Sequence, residues 1–465
     1  MVSNCYENKY SGKELDINWK TFYKGVLSLV IPMAMQNLIN TGVSACDVFM
    51  LGRVGETVLS ASSLARQVQY IMSLFLFGLT SGATVLTAQY WGKGDKKAIE
   101  RILAMGMRMA VTVTLIFTLA SLLIPGSLIR IFTNEPEVIK EGIKYLRIVA
   151  FSYIAAGITD VYLYIMRSVE RIRVATAVYL SSLICNVILN AVFIFGMFGC
   201  PAMGIQGAAL ATLLARFLEL VLVIGYAKTY NREILFRMKY FLHMDRGLLK
   251  DFLMCAVPVI LNEVLWGIAN SASTAVLGHM GSAAVAANSV AQVTKEMSMV
   301  VSFGISNAAA VYLGKTIGEK KYKHASVYAD RFVKLSILFG IASAFTILMS
   351  SQILVRVLAM TPLTKDYLQF MMFVMAYYAV AQTFDETVIV GIFRSGGDTK
   401  FGLIIDLASM WGCSVLLGAA AAFVFHCSVP VVYALLMSDE LVKIPIIWRR
   451  YKGCSWIRNI TREIE

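Results

Sequence analysis

The chain has 465 residues, of which 58% are hydrophobic and only 15% charged, with a mean hydropathy of +0.68. A soluble domain carries about a quarter charged residues, so this chain lacks the polar surface to cover itself in water, and a bilayer has to be its solvent. The net charge of +13 does not indicate nucleic acid, because Lys and Arg collect in alternate connecting segments, as the positive-inside rule asks of short cytoplasmic loops.

Residues 1–21 are polar, with Glu7, Lys9, Lys13, Glu14 and Asp16, so no cleavable signal is expected and the first helix serves as the insertion signal. At about 20 residues per span, hydropathy predicts an all-α integral membrane protein of about twelve helices. These lie at 22–49, 57–90, 99–124, 138–164, 174–196, 203–227, 250–276, 284–314, 325–351, 367–392, 400–425 and 429–448. Segments 57–90 and 284–314 exceed the bilayer thickness and are expected to continue beyond the interface. The basic clusters Lys93, Lys96, Lys97 and Arg101, and Arg449, Arg450 and Lys452, place both termini in the cytoplasm of a multi-pass plasma (inner) membrane protein.

Displacing the chain by 226 residues aligns 32–97 with 258–323 without a gap. Pro32 meets Pro258, Leu51-Gly52 meets Leu277-Gly278, Gly55 meets Gly281, Gly78 meets Gly304 and Gly92 meets Gly318. Matched glycines and prolines weigh more than matched aliphatics, since each sets a backbone property. The shift spans six helices, an even number, so the halves should enter the membrane with the same orientation. A pseudo-twofold axis along the membrane normal is then expected, with substrate between the halves. The predicted organisation is an N-terminal lobe (1–227), a basic cytoplasmic linker (228–250) and a C-terminal lobe (251–465). Pro32 and Pro258, inside the first helix of each half, are candidate hinges.

The first helix carries Gln36, Asn40, Ser44 and Asp47 at spacings of 4, 4 and 3, flanked by Asn37 and Thr41. The seventh carries Asn262, Glu263, Trp266, Asn270, Ser273 and Thr274. Such stripes are costly against lipid, so they either hydrogen-bond between helices or line a water-filled cavity, and the cavity is the reading adopted. A carboxylate at membrane depth must pair with a cation or take up a proton. Asp47 and Glu263 are therefore the first candidates for ion coupling, with Asp406 third. Asp385 and Glu386 are adjacent and point about 100° apart, so at most one need face a cavity. Asp160 is a further intramembrane acid. Glu219, three residues from Arg216, and Lys295, beside Glu296, read as locally compensated.

Other chemistries find no support. The eight cysteines (Cys5, Cys46, Cys185, Cys200, Cys255, Cys413, Cys427 and Cys454) are scattered, with no metal spacing and no disulfide framework. The run Leu313-Gly314-Lys315-Thr316 mimics the end of a phosphate loop, but Ala309 stands where the earlier glycine belongs. His243, His279, His324 and His426 form no zinc motif, and no Gly-x-Ser-x-Gly element occurs. No cofactor, metal or nucleic-acid partner is expected. The partners are small organic compounds, membrane lipid and, as a driving ion, a proton or sodium. A monomer is expected.

Several motifs stand in one order along the chain: Pro32 through Asp47-Val48-Phe49-Met50-Leu51-Gly52 with Gly55, then Gly78 and Gln89-Tyr90-Trp91-Gly92. They continue in Asn186-Val187-Ile188-Leu189-Asn190, Phe193-Ile194-Phe195-Gly196 and Gly207-Ala208-Ala209-Leu210-Ala211-Thr212. Arg394-Ser395-Gly396-Gly397-Asp398-Thr399 and Arg449-Arg450-Tyr451 complete the set. In these motifs the chain resembles the multidrug and toxic compound extrusion (MATE) family. The resemblance implies two six-helix lobes, cation-driven alternating access and export of bulky, often cationic, organic compounds. It matches Asp47 to an N-lobe aspartate used in proton coupling. Asn186 and Asn190 stand where one branch has an Asn and an Asp, so the second carboxylate is missing. Glu263 and Asp385 stand near an acid pair that serves a C-lobe cation site in other branches. With this goes a substrate cavity drawn from Gln36, Asn37, Asn40, Thr41, Ser44, Thr212, Asn262, Trp266 and Asn270. The rival readings are a flippase for a lipid-linked precursor and, in a different class, a membrane-embedded enzyme or receptor.

Overall fold

A computed structural model describes residues 17–242, 245–357 and 360–463, without the side chains of residues 44, 45 and 357. Ser44, expected in the polar stripe, therefore lies outside the described side chains. Each of the twelve predicted spans is helical, and no strand occurs among the described residues. Helices α1 (Trp19–Gly52), α2 (Glu56–Lys93) and α3 (Lys96–Leu123) are continuous. Helix α4 is a pair, Pro136–Val149 and Ser152–Ser168, bent by 52°. Helices α5 (Ile172–Phe195), α6 (Ile205–Thr229) and α7 (Arg246–His279) follow. Helix α8 is also a pair, Ser282–Ser298 and Val300–Gly318, and α9 runs Tyr322–Val357. Helix α10 (Pro362–Glu386) passes into a π-helical stretch, Thr387–Phe393. Helix α11 (Thr399–Phe423) contains another, Met410–Val415. Helix α12 is broken into Val429–Leu436 and Asp439–Lys452.

Among the described residues, nine helices are long and apolar enough to cross a membrane, or ten with α4 taken as one span. The two that fall short are α10 and α12. Helix α10 has Gln369, Tyr377, Tyr378 and Gln382 among its apolar residues, and neither piece of α12 reaches 18 residues. The long segment expected at 284–314 is not one helix. It breaks at Met299, which is buried, and the carbonyl of Ser298 released there accepts a hydrogen bond from Ser343 Oγ at 2.8 Å.

The described residues cluster into two compact units. One, the N unit, holds residues 35–87 and 95–260; the other, the C unit, holds 17–34, 88–94 and 261–463. Helices α1 and α7 therefore each change unit part-way, after Ala34 and after Ile260. These are equivalent positions under the 226 shift, and each lies two residues beyond the matched proline.

Within the N unit, glycine lets helices meet backbone to backbone. A Cβ on Gly207 of α6 would lie 2.5 Å from the carbonyl oxygen of Phe193 in α5, and one on Gly82 of α2 would lie 2.5 Å from Ala256 Cα. Within the C unit, an apolar face of α10 (Met371, Met372, Met375 and Ala379) packs on Ala284, Ala287 and Ala291 of α8. Small residues of this kind allow close approach where lipid supplies no hydrophobic drive between helices.

The end of α2 (88–94) crosses α8 inside the C unit. A Cβ on Gly92 would sit 2.0 Å from Lys315 O, and one on Gly318 would sit 2.0 Å from Gln89 O. Gly92 and Gly318 are partners under the 226 shift, as are Gln89 and Lys315, so the crossing is reciprocal. The chain end is tied to the same place. Gln89, fully buried, donates from Nε2 to Ser395 O (2.7 Å) and Arg458 O (3.0 Å) and accepts from Ile460 N (2.9 Å). Lys93 Nζ donates to Arg462 O at 2.6 Å, and Trp456 stacks on Tyr451.

Candidate functional site

In the N unit the site is built on Asp47, one turn from the end of α1. Asp47 is buried, and its Oδ1 accepts from Asn190 Nδ2 at 2.6 Å. Its Oδ2 lies 3.4 Å from Arg66 Nη1 of α2. Asn190 also donates to Asn186 Oδ1 (3.0 Å), one helical turn earlier on α5. Asp47, singled out as a charge at membrane depth, and Asn186 and Asn190, which the resemblance set beside it, thus form one buried hydrogen-bonded group closed by an arginine. Behind it, Arg216 is bonded to both oxygens of Glu219 (2.9 and 3.2 Å), and Asp160 accepts from Tyr179 OH at 3.3 Å. Asp47, Asp160 and Glu219 are matched one for one by Arg66, Arg167 and Arg216 among their charged neighbours. Around Asp47, three acids face three arginines.

The polar stripe of α1 is not uniform. Gln36 is only 1% exposed and donates from Nε2 to Thr176 Oγ1 of α5 at 2.8 Å, so it ties helices together. Asn37 is half-buried, whereas Asn40 and Thr41 are exposed, with Thr41 Oγ1 bonded to Asn37 O. Thr212 of α6 is half-buried and lies against Tyr145.

The C unit is different. Glu263 of α7 pairs with Arg394, Oε1 to Nη2 at 3.0 Å. Its neighbour Asn262 points to another acid, with Nδ2 donating to Asp406 Oδ2 at 2.9 Å. The other oxygen of Asp406 meets Lys443 Nζ of α12 at 2.9 Å, and the same ammonium lies 3.0 Å from Glu440 Oε2. Tyr378 OH donates to Glu440 Oε1 at 3.5 Å. Asp385 faces Glu440, Lys443 and Asp406, while Glu386 has Arg394 and Glu263 for neighbours. Both adjacent acids of α10 therefore reach the cluster, although α-helical spacing required only one to do so. Lys295 is not simply compensated by Glu296. Its Nζ lies over the Tyr378 ring, 5.2 Å from the centroid, with Glu440, Asp439 and Glu386 also among its charged neighbours. Trp266 and Asn270 are half-buried on the same α7 stripe.

Six acids (Glu263, Asp385, Glu386, Asp406, Asp439 and Glu440) thus share three bases (Lys295, Arg394 and Lys443). Asp385 is the extreme case: it is 1% exposed, no amide, hydroxyl or cationic group donates to either of its oxygens, and its carboxyl lies within hydrogen-bonding range of another acid, Glu440.

Local backbone irregularity positions this cluster. The break in α12 leaves carbonyls of the first piece unpaired, and Ser414 Oγ of α11 donates to Leu436 O. Ser438 Oγ donates to Leu435 O at 2.7 Å, and Tyr377 OH to Met437 O at 3.4 Å. The second piece begins within the span, with Asp439 and Glu440 in its first turn, where the positive end of the helix dipole favours carboxylates. The π-helical stretch of α10 opens directly after Glu386, whose carbonyl accepts from Ser306 Oγ at 2.8 Å. Such π-stretches recur at functional sites. Asp439, Glu440 and Lys443 did not emerge from the sequence reading. The signal was available: Ser438 ahead of two acids is a helix-start pattern, and Lys443 is a charge inside an apolar span.

The MatE family model matches residues 32–192 and again 258–420. The chain belongs to the MATE family. The two matched stretches begin at Pro32 and Pro258, the displacement found in the sequence itself. A probable multidrug resistance protein NorM of Agrobacterium fabrum is 24% identical over 419 residues, covering 87% of this chain and 88% of that protein. A NorM protein of Thermotoga maritima is also 24% identical, with 83% of each chain covered. An uncharacterized transporter of Bacillus subtilis, YisQ, is 22% identical over 95% of this chain and 96% of its own. Among solved structures, a transporter of the MOP superfamily from Pyrococcus furiosus superposes with a TM-score of 0.83. It is 19% identical and covers 93% of this chain and 96% of that chain. MATE crystallised in a bent conformation gives 0.83 at 18% identity, with the same coverage of both chains. With its two units and apolar helices, the chain is a multi-pass membrane transporter of this family and not an enzyme.

Proposed function

We propose that this MATE transporter is a secondary antiporter that exports organic, often cationic, compounds in exchange for a cation by alternating access. The observation that carries this reading is the acid surplus of the C unit, with Asp385 at its centre. A buried carboxylate set against a second acid, with no amide, hydroxyl or cationic donor of its own, is expensive to keep charged, so it has to be met by a proton or a cation, and reversibly so if it is to couple transport. Asp47 and Glu263, each held by one arginine, are the acids whose charge state is read by the surrounding helix. An ion that binds one conformation better than another shifts the population between them by that difference, which is all a driving ion can do. The family of the relatives, several of them named as probable multidrug resistance proteins, supports organic substrates. The alternation of basic segments supports cytoplasmic termini in the plasma (inner) membrane.

The experiment is uptake of a fluorescent organic cation, supplied outside, into proteoliposomes of purified protein, with a proton gradient and a sodium gradient imposed separately. Wild-type protein should concentrate the dye under at least one gradient, and Asp385→Asn should reduce gradient-driven uptake to the level of empty liposomes. Dye movement that ignores both gradients would sink the antiport reading and favour a facilitator or a lipid flippase.

A further inference from the structure

The cation held between Asp406 and Glu440 is the protein's own. We infer that Lys443 is a built-in counter-ion that closes the C unit to sodium, so that the acids left over in that unit exchange protons instead. This rests on the reading of the cluster as ion-coupling, but it is tested by sodium binding, which needs no transport.

The geometry is that of an occupied cation site. Lys443 is 6% exposed, with Nζ 2.9 Å from Asp406 Oδ1 and 3.0 Å from Glu440 Oε2. The second oxygen of each carboxylate is turned to a neutral donor, Asn262 on one and Tyr378 on the other. Both carboxylates are thereby oriented with one oxygen toward the ammonium. The break in α12 makes this possible, because Glu440 in the first turn and Lys443 three residues on share one helix face.

A free sodium ion would have to shed its hydration shell and displace a charge that is covalently tethered, and so present at a high effective concentration. It would also have to enter beside that charge, at a cost set by Coulomb repulsion in a poorly screened setting. A proton faces neither obstacle. It needs a single lone pair, and Asp385, set against Glu440, offers oxygens to which no amide, hydroxyl or ammonium group donates. Sodium, by contrast, needs several oxygens around one point.

The test is the melting temperature of the purified full-length protein in detergent, with sodium chloride titrated against potassium chloride at constant ionic strength. Wild-type protein should show no sodium-specific shift. Lys443→Met and Lys443→Gln, which leave the two carboxylates without their cation, should each acquire a saturable, sodium-specific rise of about 3 °C. Lys443→Arg keeps a charge in place and should stay unresponsive, which a merely space-filling role for the lysine would not predict. A saturable sodium shift in wild-type protein overturns the inference. So does the lack of any shift in variants that elute and melt as folded protein. If neither variant can be purified folded, the wild-type titration decides alone.

Discussion

Asp47→Asn is expected to abolish concentrative efflux while leaving the purified protein folded. Asparagine has the size of aspartate, and its carbonyl oxygen can still accept from Asn190 Nδ2, the 2.6 Å bond that anchors the group. What it cannot do is change charge. Arg66, 3.4 Å away, would lose its counter-charge permanently, and the end of α1 would be fixed in the state that corresponds to a neutral carboxyl. Truncating one partner of a buried charge pair costs about 3–5 kcal/mol when the survivor stays buried. Arg66 retains a side-chain exposure of 22%, so a smaller loss of stability is expected, without unfolding. The readout is gradient-driven dye accumulation in proteoliposomes beside downhill exchange of the same dye. Accumulation should vanish and exchange should persist. Wild-type accumulation by the asparagine variant would make Asp47 a structural anchor for Arg66 and nothing more.

The second large effect is structural. Gly92→Ala and Gly318→Ala should each lower the melting temperature sharply or prevent accumulation of the protein. Both glycines are helical, and alanine in a helix is ordinarily better than glycine by about 1 kcal/mol. Here the sign reverses, because each new Cβ would lie 2.0 Å from a carbonyl oxygen of the opposing helix, a backbone atom that no rotamer change can move. Overpacking costs of about 1–3 kcal/mol are typical where side chains can adjust, and a backbone-to-backbone contact should exceed them. The two sites share one crossing, so the double variant should lose less than the sum of the single losses, since the first separation makes room for the second. Melting curves of the three variants in detergent test this. Fully additive losses would mean that the two contacts are independent.

The fold was legible because a bilayer leaves few options. Every backbone polar group has to be satisfied within the span, so an apolar stretch of sufficient length reads directly as a helix. The repeat was legible for a related reason: Gly92 and Gly318 match because each has to meet the other's helix without a side chain. Hydropathy could not register the interruptions at Met299 and at Met437–Ser438. An average over a window sees the same apolar content whether the helix runs through or stops and restarts, and the carbonyls freed are satisfied by Ser343 and Ser414 from the adjoining helices. The same blindness hid the partners of the acids. Asp47 and Glu263 stood out as charges at membrane depth, but Arg66 and Arg394 reach them across helix pairs that no local pattern links. Gln36, read as part of a cavity wall, has its hydrogen bond to Thr176, 140 residues away.

Helices α1 and α7 both leave their own half of the chain, since residues 19–34 cluster with the second half and 246–260 with the first. Each half is therefore expected to be unstable as a separate polypeptide. Each would have to be made with a gap in its own packing that only the other's leading arm fills. Synthesised from separate genes, residues 1–237 and 238–465 are expected to be degraded when expressed singly and to accumulate in the membrane as a pair when expressed together. Trading identical arms is also how two copies of one short chain become an obligate dimer. A transporter of this length then needs no new interface to arise from a six-helix precursor. It needs only a linker, such as the one around Lys239, that joins two subunits already clasped by their first helices.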